Sequence, residues 1–156
     1  MIERLEFKLN ELEKHLLQLK RNIKYLDAFY GFPLKDEYIK NILESSDIDK
    51  LDSIAYRLIK FQDTLGRVIK FYFSLVEENT DSLTMLDLIN LAEKMGFSID
   101  REFFRELRLL RNSITHEYVE NISEIKKALN NLKEILPRLE KIIYELKERV
   151  ESISRD

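Results

Sequence analysis

The stretch RNSITHEY, residues 111 to 118, gathers an arginine, an asparagine, a histidine and a tyrosine in a short span. His116 is one of only two histidines in the chain. An unperturbed imidazole titrates at about 6.5, so His116 can take or give a proton near neutral pH. Arg111 stays charged throughout, and its planar guanidinium can hold two oxygens of an anion at once. A proton carrier beside an anion clamp is the minimum equipment for chemistry on a negatively charged substrate. The same residues also fit the polar end of a helix, where a histidine gains from the helix dipole.

Their helical placement sharpens the choice. At ~100° per residue, Phe103, Leu107, Leu110 and Ile114 form one apolar stripe that must face a core. Arg101, Arg105, Arg108 and Arg111 fall on a different arc, with Arg111 nearest the stripe. Asn112, Thr115 and His116 lie along that same arc, and Asn112 and His116 are direct neighbours one turn apart. A row of arginines also fits a plain solvated face, and Glu102 and Glu106 are near enough in sequence to pair with some of them. Phe104 lies within the arc and Leu109 at its far edge. Apolar residues beside a polar patch mark a partner surface. These two are therefore the expected contacts of a homodimer, whose two-fold axis would bring two arginines and two histidines together. His15 has no polar constellation near it and reads as a helix-surface residue.

The elements that must position these residues are legible from spacing. Three long segments repeat apolar residues at steps of three and four. They are Ile2 to Leu26, Leu51 to Leu75, and Ile122 to Ile153. That is the seam of helices packing at shallow angles. Pro137 interrupts the third segment and should bend it without ending it, because the seam continues on both sides. Between the long segments, YGFPL reads as a loop and a short helix follows over about residues 36–44. Ser46, Asp47 and Asp49 offer caps for the second long helix. Another helix, from about Leu83 to Met95, should stop at Gly96, a natural C′ residue. Ser98 or Asp100 should cap the helix that carries the motif, which runs from about Arg101 to near Tyr118. Asn121 or Ser123 should open the last helix. The expected fold is all-α: an antiparallel four-helix bundle with additional short helices, one domain over residues 1–156.

Composition excludes several function classes. With three Gly and two Pro in 156 residues, the chain has too few turns for a sheet protein. No cysteine is present, which removes disulfides, zinc–thiolate sites and thiol nucleophiles, and a reducing cytoplasm is the expected compartment. Two widely separated histidines without an HExxH-like pair give no His-based metal site. There is no Gly-rich phosphate loop and no segment apolar enough to span a membrane. Net charge is -3, so any nucleic-acid binding must rest on a local basic patch.

Arg111, four residues, His116, one residue and Tyr118 make up an Rx4HxY pattern, and in this the chain resembles the HEPN superfamily. It is similar in particular to the HepT-like toxins, which are encoded beside minimal nucleotidyltransferase (MNT) antitoxins. The likeness continues through FFRELRLLRNSITHEYVENISEIKKAL, where the motif ends one helix and a short break precedes a long amphipathic one. The resemblance implies a homodimeric, metal-independent endoribonuclease that needs no cofactor. The 2′-OH of RNA would attack the adjacent phosphorus, leaving a 2′,3′-cyclic phosphate and a 5′-OH. His116 would move the protons, Arg111 would stabilise the phosphorane-like charge, and Asn112 would orient the imidazole or the phosphate. Arg101, Arg105 and Arg108 would guide the RNA. Tyr118 would be the residue that receives AMP from the cognate MNT nucleotidyltransferase, so that a bulky anion blocks the cleft. The alternative within the same superfamily is a non-catalytic subunit that binds a nucleotidyltransferase and its substrate.

If the dimer forms through the motif helix, glutamate at Leu109 or Phe104 should weaken it. Sedimentation velocity checks this: the mutants should shift toward monomer, and unchanged sedimentation would put the interface elsewhere.

Overall fold

A computed structural model describes residues 1–115 and 121–155 of the chain. The described residues form six helices: α1 (Ile2–Tyr30), α2 (Asp36–Glu44), α3 (Ile48–Val76), α4 (Met85–Lys94), α5 (Arg101–Thr115) and α6 (Ile122–Arg155). The four longest make a ring in which α1 packs on α3, α3 on α5, α5 on α6, and α6 back on α1. Each adjacent pair is antiparallel, as the cross-helix contacts show. Asn22 bonds to Ser53 and Arg4 lies over Phe71 between α1 and α3. Arg111 reaches Gln62 between α5 and α3, and Asn131 reaches Glu106 between α6 and α5. Lys147 pairs with Glu13 between α6 and α1. The fold is an antiparallel four-helix bundle, with α2 set against α3 and α6 and α4 against α3 and α5.

The three seams bury almost as the spacing requires. Leu5 to Leu26 along α1, Leu51 to Tyr72 along α3, and Ile125 to Val150 along α6 are buried, while Ile2, Leu75, Ile122 and Ile153 at the ends are half-buried. They join the apolar stripe of α5 in one hydrophobic cluster that draws on all six helices. Burial of this kind contributes ~25 cal/mol per Å² of apolar surface and is the main term holding the bundle. α6 runs through Pro137 without a break.

Helix ends follow local chemistry, with some departures from expectation. α4 starts two residues after Leu83, at Met85, because Thr84 and Asp87 form a reciprocal capping box. It stops in a Schellman turn: Gly96 at φ 87 donates to the Glu93 carbonyl, and Phe97 donates to the Ala92 carbonyl. Asp47 is the residue before α3, but its side chain does not cap the helix. Its carboxylate instead accepts the Tyr25 hydroxyl at 2.8 Å and the Tyr30 hydroxyl at 2.6 Å. Those two bonds hold the carboxyl below its usual range. They also tie the end of α1 to the start of α3.

The helix carrying the motif is held from its beginning. Asp100 caps it by accepting the Phe103 amide at 2.8 Å. Ser98 serves a different purpose: its amide and hydroxyl donate to Glu145 on α6 at 2.7 and 2.8 Å. Arg149 and Arg138, also on α6, donate to the carbonyls of Met95 and Ser98. The Arg138 guanidinium lies 3.9 Å from the centre of the Phe103 ring, itself only 1% exposed. Three side chains of α6 thus fix where α5 begins, and Phe103 sets its rotation.

Phe103→Ala should therefore destabilise the protein by about 3–5 kcal/mol, the range for emptying a buried phenylalanine site. Urea unfolding followed by circular dichroism checks the value; a loss under ~1 kcal/mol would mean that α5 is not anchored there.

Candidate functional site

Arg111 is the motif residue whose surroundings are most informative. It sits on the α3 side of α5, half-buried. Its Nη1 donates to Gln62 Oε1 at 3.3 Å and lies 3.6 Å from Asp63 Oδ1, both on α3. Gln62 is only 7% exposed, so its amide oxygen is a fixed acceptor at the base of the site. A buried amide held this way must find a partner, and Arg111 supplies it. The guanidinium is steered as well as charged.

Around Arg111 the groove between α3 and α5 is lined by Asp63, Arg67, Lys70, Met85 and Phe104, and encloses about 340 Å³. Asp63, Arg67 and Lys70 follow each other at steps of four and three on the exposed face of α3. Neither Arg67 nor Lys70 forms an ion pair with another described residue. Three cations and one carboxylate converge, which suits an anionic ligand with more than one negative oxygen.

Arg101, Arg105 and Arg108 are exposed on the outer face of α5, beside this groove. The possibility that Glu102 and Glu106 neutralise them is not realised: among the described residues no ion pair joins them. Glu106 points to the other flank and accepts from Asn131 of α6 at 3.0 Å. Asn112 is exposed on the same arc as the arginines. Thr115 turns its hydroxyl back onto the Arg111 carbonyl at 2.9 Å, a local bond of the helix end. His116 and Tyr118 lie outside the described residues.

No protein-family model, curated protein or solved structure matches this chain.

The two apolar residues expected at a dimer interface are separated. Leu109 is 52% exposed and lies beside a groove between α5 and α6 that also holds Ser113 and Lys127. Phe104 is half-buried against the core on the opposite flank, in the Arg111 groove. They do not form one patch, because an angle of about 140° on the helix wheel puts them on different neighbours. Glutamate at Phe104 would also disturb packing, which leaves Leu109 the cleaner probe.

The reading of His15 needs correcting. Its Nδ1 lies 3.1 Å from an Nη1 of Arg57 on α3, so it does have a polar neighbour. The guanidinium can only donate, so Nδ1 is the acceptor and the ring is neutral. Burial first, and then the charge of Arg57, lower its pKa from the ordinary value.

Sequence reasoning missed Gln62, Asp63, Arg67 and Lys70. The last three stand at helical spacing, which marks a polar face but does not say which helix lies next to it. Gln62 flanks the seam residue Phe61 and carried no signal of its own. Among the described residues, no cluster of His, Asp and Glu is arranged to hold a metal ion. No helix is long and apolar enough to cross a membrane among those residues.

Asp63→Asn should change stability by less than about 1 kcal/mol, because the pair is largely solvated. The same substitution should tighten binding of a simple polyanion such as heparin and steepen its salt dependence. Titration at two salt concentrations reads both effects; unaltered affinity would mean that the groove does not receive anions.

Proposed function

We propose that this chain is a metal-independent endoribonuclease of the HEPN superfamily, similar to the HepT-like toxins. The observation that carries the reading is the motif arginine itself. Arg111, whose spacing to His116 and Tyr118 makes the Rx4HxY pattern, is steered by a buried amide into a groove with Arg67 and Lys70. A guanidinium serving only as surface charge has no need of a buried acceptor to aim it.

In this reading RNA lies along the cationic face with one phosphate against Arg111. His116 removes the proton of the 2′-OH as that oxygen attacks phosphorus. The bond to O5′ breaks, and O5′ takes a proton, from the same imidazole or from the second copy in a homodimer. The electron pair of the broken bond leaves on O5′, and the product ends are a 2′,3′-cyclic phosphate and a 5′-OH. Arg111 stabilises the charge that accumulates on the non-bridging oxygens, and Asn112 orients the phosphate or the ring. The exposed Arg101, Arg105 and Arg108 draw the strand in. A cognate MNT nucleotidyltransferase would silence the enzyme by transferring AMP to Tyr118, setting a phosphodiester anion where the RNA phosphate must approach.

One observation favours the second reading, a subunit that binds a nucleotidyltransferase and its substrate without cutting RNA. Asp63 sits 3.6 Å from Arg111 and partly counters its charge. A catalytic Arg111 has to exchange that contact for phosphate when RNA arrives.

Cleavage of end-labelled RNA in EDTA separates the readings. The wild-type protein should cut, leaving cyclic phosphate ends. His116→Ala should lower the rate by at least about 100-fold, and Arg111→Ala by about 100- to 1000-fold, with unchanged circular dichroism. Cleavage that needs added metal, or that survives loss of His116, would defeat the mechanism. Absence of cleavage by protein free of AMP would favour the binding subunit.

A further inference from the structure

The exposed face of α3 does not end at the Arg111 groove. Continuing toward its N-terminus from Lys70, Arg67 and Asp63, the same three-and-four spacing reaches Lys60 and Tyr56, both exposed. Tyr56 is 53% exposed and is not among the side chains packed on the core. That is unusual within its own helix, where Phe61, Tyr72 and Phe73 are buried and Phe71 is half-buried against the core. Two cations flank its ring: Arg57 Cζ is 5.4 Å from the centroid and Lys60 Nζ is 5.6 Å. Arg57 is in turn held by His15 of α1, whose neutral Nδ1 accepts from it at 3.1 Å. A neutral ring fixes the guanidinium without cancelling its charge, as a carboxylate would.

An exposed aromatic ring with two cations close against it is what a base and its neighbouring phosphates would meet. We infer that the exposed stripe of α3 is a track for single-stranded RNA, running from the Arg111 groove past Lys60 to Tyr56, on whose ring a base stacks. The inference rests on the ribonuclease reading for its substrate class and adds a second contact point distant from the reacting phosphate. Fourteen residues of helix at 1.5 Å each separate Tyr56 from Lys70, roughly 21 Å, which accommodates several nucleotides. The only carboxylate on the stripe between those ends is Asp63, and it already faces Arg111. Charge selects a polyanion, and the exposed ring selects one that carries planar bases, which an acidic peptide lacks.

The test uses the full chain and a fluorescent 2′-O-methyl RNA of roughly 12 nucleotides, which binds but lacks the attacking hydroxyl. Tyr56→Leu should weaken binding about tenfold, the lower part of the range for losing one stacked base, and Tyr56→Phe should restore it. Affinity for poly-glutamate should be the same in all three proteins. Cleavage of ordinary RNA by Tyr56→Leu should show a raised KM with kcat little changed, because the ring does not touch the reacting atoms. RNA binding by Tyr56→Leu equal to wild type would overturn the track, as would equal losses for RNA and poly-glutamate, which would reduce the stripe to a surface for acidic proteins. If cleavage still depends on Arg111 in those cases, only the track falls. If the wild-type protein neither binds nor cuts RNA, the ribonuclease reading falls and the track with it.

Discussion

The burial of α3 is the constraint from which the rest of the structure follows. Over its middle, from Phe61 to Phe73, this helix is covered on most of its circumference by α1, α4 and α5. Its apolar residues supply the centre of the core, and even Gln62 and Thr64 are drawn inside. Only a narrow strip is left to water. Because a helix repeats every 3.6 residues, that strip gathers residues far apart in sequence into one line. The line is mostly cationic, and α5 lies along its edge. The Arg111 groove is the place where the open strip of α3 and the polar arc of α5 meet.

Charge is sorted by face. The chain has 29 acidic and 26 basic side chains, so it is acidic overall. Between α1 and α6 the two signs interlock, with Lys20 on Glu140 and Lys147 on Glu13. On the α3 and α5 side, Arg67, Lys70, Arg101, Arg105 and Arg108 lack such partners among the described residues. Paired charges at the surface contribute little to stability and project little field. Unpaired charges of one sign add up over a distance of about 8–10 Å at ordinary salt. A net negative protein can therefore present a locally positive face, and the aim of Arg111 fixes one point on it. Rigidity comes from α6, which clamps the start of α5 through Glu145, Arg138 and Arg149. The Phe103 anchor holds the helix in rotation as well as in place, and with it the direction in which Arg111 points.

The sequence by itself determined the long helices and their buried faces. Apolar steps of three and four admit one secondary structure, and the burial of Leu5, Leu58 and Leu139 follows directly from it. Gly96 could be assigned to a helix end, and the cap of α5 narrowed to Ser98 or Asp100, because left-handed backbone and unpaired amides demand those residue types. The polar arc shared by Arg101, Arg105, Arg108 and Asn112 was legible because all four lie on one helix. What only the tertiary structure decided is which faces meet. Periodicity gives the angle of a residue about its own axis and says nothing of the neighbour across the groove. For that reason Gln62, Asp63, Arg67 and Lys70 joined Arg111 unannounced, His15 acquired Arg57, and Phe104 and Leu109 parted to opposite flanks. Asp47, a good cap by type, was taken by two tyrosine hydroxyls of another helix, because strong hydrogen-bond donors arriving through the fold outcompete a local amide.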